Sequence, residues 1–189
     1  MSPETGLSAT ALDAADEPTA ALAAAALLDD GGVDVDALLA AVAAQQRQAG
    51  RRVRGLVMTH PEGERSCAAP MVLLDLHTGV EYLVSQDLGP GATGCRADTQ
   101  GFARASHVLR DALVASPDLV ICNRFGGLES EGGGFAAELL DLMAQGVPVL
   151  TTAAPRHLAA WQRFTGNAAV LPASADAVNA WLARVLPPR

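Results

Sequence analysis

Lysine is absent from this chain of 189 residues: all 13 basic residues are arginine. That absence excludes Schiff-base chemistry, a lysine general base and a complete Walker A phosphate loop, whose lysine reaches the β- and γ-phosphates. Abundant alanine beside arginine also fits a GC-rich coding bias, so a compositional and a functional cause both stand. Cysteine is scarce: Cys67, Cys95 and Cys122 form no C-x-x-C pair and leave an odd thiol over, which argues against a disulfide framework. His60, His77, His107 and His157 lie on separate segments without metal-ligand spacing, so no zinc site is expected. No apolar run reaches the roughly 18 residues of a membrane helix, and the first 18 residues carry acidic charges without a basic leader region. A soluble cytoplasmic protein is expected. The net charge is −8 and the arginines are scattered, so the basic face that nucleic acid requires is missing. No G-x-S-x-G elbow is present.

With 50% hydrophobic and 18% charged residues, the chain can bury a substantial core. Residues 1–18 mix polar, acidic and proline positions without period and read as a flexible N-terminal extension; 19–189 read as one α/β domain. Apolar residues at Val35, Leu38, Leu39 and Val42, after Asp34, predict a helix over 35–48 that Gly50 closes. Runs at 21–28, 53–59, 118–122, 147–152 and 168–171 predict strands, and helices are predicted over 100–115, 135–145, 155–164 and 175–186. The segment 71–85, turning at His77-Thr78-Gly79, predicts a β-hairpin. Strands separated by helices imply an open parallel sheet with helices on both faces, into which the hairpin is inserted.

Ligands of such sheets bind beyond the carboxyl ends of the strands. The first loop there is Asp29-Asp30-Gly31-Gly32-Val33-Asp34, placed where a phosphate loop would lie. Gly31 and Gly32 could turn backbone N–H groups toward an anion, but three aspartates oppose one unless a cation intervenes, for which Asp30 is a candidate ligand. The same aspartates also suit plain helix capping. The second loop, 85–98, offers Ser85, Gln86, Asp87, Gly89, Gly91, Thr93, Gly94, Cys95 and Arg96: neutral donors with one guanidinium, a composition able to wrap an oxyanion. The third, 123–134, follows the most compact apolar run and holds Asn123, Arg124, Gly126, Glu129 and Glu131. A Walker B aspartate would stand at such a strand end; here it is Asn123, which leaves Glu129 as candidate water-orienting group and Glu131 as candidate metal ligand.

The stretches Ser-Gln-Asp-Leu-Gly-Pro-Gly…Gly-Cys-Arg-x-Asp at 85–98, Asn-Arg-Phe-Gly-Gly-Leu-Glu-x-Glu-Gly-x-Gly at 123–134 and Gly-Val-Pro-Val-Leu-Thr at 146–151 resemble the bacterial domain-of-unknown-function 2478 family. More distantly the layout is similar to small nucleoside-triphosphatases related to the cancer-associated ones, through 55–59, 74–79 and 125–129. In that family the last motif supplies the Walker B acid and its glutamate, which would put Asn123 near the acid and Glu129 at the glutamate. The resemblance implies a three-layer, P-loop-NTPase-like fold. Where those enzymes carry G-x-x-x-x-G-K-S/T, this chain has Asp29 to Asp36, without lysine or a following hydroxyl. The association of the unknown-function family with molybdenum uptake and molybdenum enzymes implies an accessory protein that binds molybdate, tungstate or a nucleotide with magnesium. Two other readings stay open: an active NTPase using Arg96 or Arg124 in place of lysine, and an acidic interaction module for a molybdenum enzyme or transporter.

Overall fold

The computed structural model describes residues 22–59, 70–86 and 97–188. Seven strands run along the chain: β1 (Ala24–Leu28), β2 (Val53–Thr59), β3 (Val72–Asp75), β4 (Glu81–Leu83), β5 (Leu119–Cys122), β6 (Val149–Ala153) and β7 (Ala169–Leu171). The helices are α1 (Val35–Gln48), α2 (Thr99–Val114), α3 (Gly127–Ser130), α4 (Ala136–Ala144), α5 (Leu158–Thr165) and α6 (Ala175–Val185), with a 3-10 turn at Pro155–His157. The strands form one sheet in the order β4-β3-β2-β5-β6-β1-β7. β2, β5, β6, β1 and β7 are mutually parallel, while β3 and β4 add as an antiparallel hairpin beside β2.

Alternation along the central strands divides the core. Ala24, Ala26, Val120 and Cys122 face α2, α4 and α5, whereas Ala25, Leu27, Leu119 and Ile121 face α1 and α6. Every residue of β5 and β6 is buried, since helices cover both faces of a parallel sheet. This is the expected three-layer α/β architecture, inserted hairpin included.

Local chemistry explains the boundaries. Asp34 caps α1 by accepting from the Ala37 N–H at 2.8 Å, and Gly50 leaves the helix at φ 76°. Asp98 caps α2 through the Gln100 N–H at 3.0 Å. A Cβ on Gly101 would stand 2.4 Å from the Leu83 carbonyl oxygen, so this glycine lets α2 begin directly on the edge strand β4. The predicted helix at 155–164 begins as a 3-10 turn, and the third loop contains a helix, α3, that hydrophobic period did not announce.

Strand order places the site. β6 lies between β1 and β5, so the loops leaving those two strands flank its end. β4 points the same way as β2 through two antiparallel steps, so the second loop leaves the same edge, three places from β5.

Candidate functional site

Three segments meet at the carboxyl edge. The Asp29 N–H donates to the Ala153 carbonyl at 2.9 Å, holding the first loop against β6. From the other side, the Phe125 N–H donates to the Thr152 carbonyl at 2.9 Å, and the fully buried Phe125 ring packs on Trp161 and Phe164 with centroids 5.3 and 5.1 Å apart. This aromatic anchor turns the chain just after β5 and leaves Asn123 and Arg124 facing the first loop.

Arg124 spans the gap. Its Nη1 donates to Asp29 Oδ2 at 3.1 Å and its Nη2 reaches Asp36 Oδ1 at 3.5 Å. Asn123 Nδ2 also donates to Asp36 Oδ1, while Asn123 Oδ1 accepts from the Thr152 hydroxyl at 2.7 Å. Asn123, Asp36 and Thr152 are all buried. An amide suits the middle of this chain because it carries both a donor and an acceptor; a carboxylate at 123 would face the Asp36 carboxylate.

In a Walker A loop laid over Asp29 to Asp36, the seventh position holds lysine and the eighth a hydroxyl that ligates magnesium. Here the seventh is Val35, packed in the core, and the eighth is Asp36. Here the acid sits on α1 and the neutral amide follows β5, and the two bond directly. The cation comes from the opposite loop, as Arg124, already shared between two carboxylates.

Glu129 is 4% exposed, and both its oxygens are committed. Oε2 accepts from the Gly126 N–H at 3.0 Å and Oε1 from the Phe135 N–H at 3.1 Å. Burial raises its carboxyl above the ordinary range, and the backbone donors offset part of that rise. Gly134, at φ 55°, is required here, since a Cβ would lie 2.0 Å from Glu129 Oε1. Glu129 therefore braces the third loop and creates α3, an arrangement unlike that of a carboxylate holding an attacking water.

The other candidates scatter. Asp30 is exposed and its Oδ1 accepts from the Gly32 N–H at 2.9 Å, so that amide, beside Gly31 at φ 84°, faces its own loop. Glu131 is exposed at the end of α3. Among the described residues no three His, Cys, Asp or Glu side chains converge as a metal would need. The Ser85 hydroxyl accepts from the Met71 N–H at 2.9 Å, and Gln86 Nε2 approaches the Ala97 carbonyl at 3.5 Å, closing the base of the second loop. Asp87, Gly89, Gly91, Thr93, Gly94, Cys95 and Arg96 lie outside the described residues.

Asp29, Asp36 and Thr152 were not singled out by sequence reasoning. Asp36 could have been, as the eighth position of the displaced phosphate motif. His157 also belongs to this edge: its ring comes within 3.9 Å of where a Gly127 Cβ would stand, and its Nε2 accepts from Arg156 Nε at 3.1 Å. Burial, and then the Arg156 charge, lower the His157 pKa.

The sheet order and the loops that meet beyond it define a P-loop nucleoside-triphosphatase-like domain. A search of solved structures agrees: the structure of a human cancer-related nucleoside triphosphatase superimposes with a TM-score of 0.59, covering 84% of this chain and 93% of that one at 20% identity. At that identity the likeness is one of fold. The model of the family described as "Protein of unknown function (DUF2478)" matches residues 24–181, and the chain belongs to that family. A relative from Bradyrhizobium diazoefficiens, the molybdenum import ATP-binding protein ModC 2, is 36% identical over 149 residues, which are 78% of this chain and 17% of that protein. The chain thus corresponds to about a sixth of that relative's length. No helix among the described residues is long and apolar enough to cross a membrane.

Proposed function

We propose that this domain is a binding accessory of molybdenum handling, a P-loop-like scaffold that holds a tetrahedral oxyanion of the molybdate or tungstate kind without hydrolysing a nucleotide. One observation carries the reading: the place where lysine, hydroxyl, magnesium and aspartate would act together is occupied by the Asp29–Arg124–Asp36–Asn123–Thr152 network. Phosphoryl transfer depends on positioned cations at the β- and γ-phosphates, and the cation in this network, Arg124, already meets two carboxylates. The same network keeps one polarizable donor group available. Arg124 remains 43% exposed at its side chain, and a guanidinium binds a tetrahedral oxyanion through paired N–H groups once Asp29 is displaced. The name of the 36% identical relative supplies the metal; a molybdenum enzyme or transporter is the corresponding protein partner.

Calorimetric titration of the full chain with molybdate, tungstate, ATP and GTP, each with and without magnesium, tests this. The expected result is heat with the oxyanions that Arg124→Ala removes, and phosphate release from nucleotides no faster than background. Magnesium-dependent phosphate release that Arg124→Ala abolishes would instead establish arginine as a lysine substitute. Absence of heat with all four compounds would remove the binding reading.

A further inference from the structure

The edge of the sheet opposite the network holds a cavity of about 460 Å³, between the turn joining β3 to β4 and the second half of α2. That volume lies within the usual range of small-molecule pockets, roughly 300–1,000 Å³. Arg54, near the start of β2, and Asp111, on α2, both line it. Arg54 is half-buried, yet among the described residues its side chain makes no hydrogen bond or ion pair, with Asp111 or any other group. Arg52, Arg104, Arg110 and Arg124, by contrast, each meet a carboxylate. A guanidinium left without an internal counter-group is available to pair with an anionic group of a ligand.

The remaining polar groups around the cavity are mostly spent. Asp75 accepts from the His77 N–H at 2.8 Å and from the Thr78 hydroxyl at 2.5 Å. His107 Nδ1 lies 2.6 Å from the Arg104 carbonyl, which can only accept, so Nδ1 donates there, and Nε2 shares a hydrogen bond of 3.3 Å with the Tyr82 hydroxyl. Val80, Val108, Ala112 and Ala115 supply apolar wall to the same cavity. Burial first, and then the Asp75 and Asp111 charges, raise the Tyr82 phenol.

We propose that this cavity is a second ligand site, independent of the carboxyl-edge network, for a small zwitterion of the α-amino-acid kind with a compact apolar side chain. Its carboxylate would pair with Arg54, its ammonium with Asp111, and its side chain would lie along Val80, Val108 and Ala112. The charge balance selects this class. Arg54 against Asp75 and Asp111 leaves the lining net negative, so a simple anion meets repulsion, and a simple cation leaves Arg54 uncompleted.

Titrating the 15N-labelled full chain with L-leucine and L-phenylalanine, and in parallel with 3-phenylpropanoate and 2-phenylethylamine, tests the assignment. We expect saturable shifts confined to the β3–β4 turn and α2 with the amino acids, and affinity lower by roughly tenfold or more for either half-analogue, as loss of a charged hydrogen-bonded partner implies. Arg54→Gln and Asp111→Asn should each weaken binding to a similar degree. Asp111 is exposed, so its variant keeps the fold should that of Arg54 not. No shift with either amino acid, shifts located at the carboxyl edge, or 3-phenylpropanoate binding as tightly as phenylalanine would each overturn the proposal.

Discussion

Arg124 and Arg54 sit at opposite edges of one sheet and meet opposite fates. Arg124 is clamped between Asp29 and Asp36 at the carboxyl edge. Arg54 lines a cavity without a side-chain partner among the described residues, although an aspartate lines the same cavity. The contrast teaches that the charge of a residue matters less to its role than whether the fold has already satisfied it. A guanidinium paired at home is part of the architecture until a ligand outcompetes its carboxylates, whereas one left over is available from the start.

The comparison breaks first, and most severely, at its closed end. Asn123→Asp sets two buried carboxylates against each other and removes the amide donor. It should cost roughly 3 kcal/mol or more at neutral pH, with partial recovery on acidification, measured by urea unfolding across pH. Next is the brace beside it. Glu129→Gln points an amide NH₂ at a backbone N–H, leaving one buried donor unsatisfied, for about 1–3 kcal/mol by the same measurement. The pH dependence carries a definite sign. The Glu129 carboxyl is raised in the folded state, so its stabilising effect is full below the ordinary glutamate value of 4.5 and is lost as pH rises through the folded value. The advantage of Glu129 over glutamine should therefore narrow between acid and neutral pH; a widening gap would contradict burial as the dominant cause.

Arg124→Ala should cost only about 1 kcal/mol, because its guanidinium is half exposed and solvent screens its pairs. The smallest effect belongs to the open end: Arg54→Gln should change stability by no more than about 0.5 kcal/mol, as expected where no internal contact is lost. A loss at Arg54 as large as that at Asn123 would sink the contrast between the two edges.

Much of the fold was legible because its signals are local. Asp34 and Gly50 bound a helix whose apolar residues recur on one face, and the strand at 53–59 ran as the pattern indicated. The helix α3 was not legible: four residues in a glycine-rich run carry no period, and what fixes them is the Glu129 carboxylate, which accepts from the Gly126 N–H just before the helix and from the Phe135 N–H where α4 begins. Asn123, Arg124 and Glu129 stood out by their position after a buried strand. Asp36 and Thr152 did not, because the bond from Asn123 to Asp36 joins residues 87 apart and that from Thr152 joins residues 29 apart.

By itself the sequence determined which residue types are missing: there is no lysine anywhere, no Walker A lysine or hydroxyl in the span from Asp29 to Asp36, and the residue after the buried run at 118–122 is an amide. Those facts are readable because a residue type is present or absent regardless of folding. Which arginine is satisfied and which is left over was decided only in three dimensions. Setting β6 between β1 and β5 brings Arg124 onto two aspartates, and docking α2 beside β2 brings Arg54 and Asp111 to one cavity without joining them. Charge pairing depends on distances between atoms, and those distances are set by strand order and helix packing rather than by spacing along the chain.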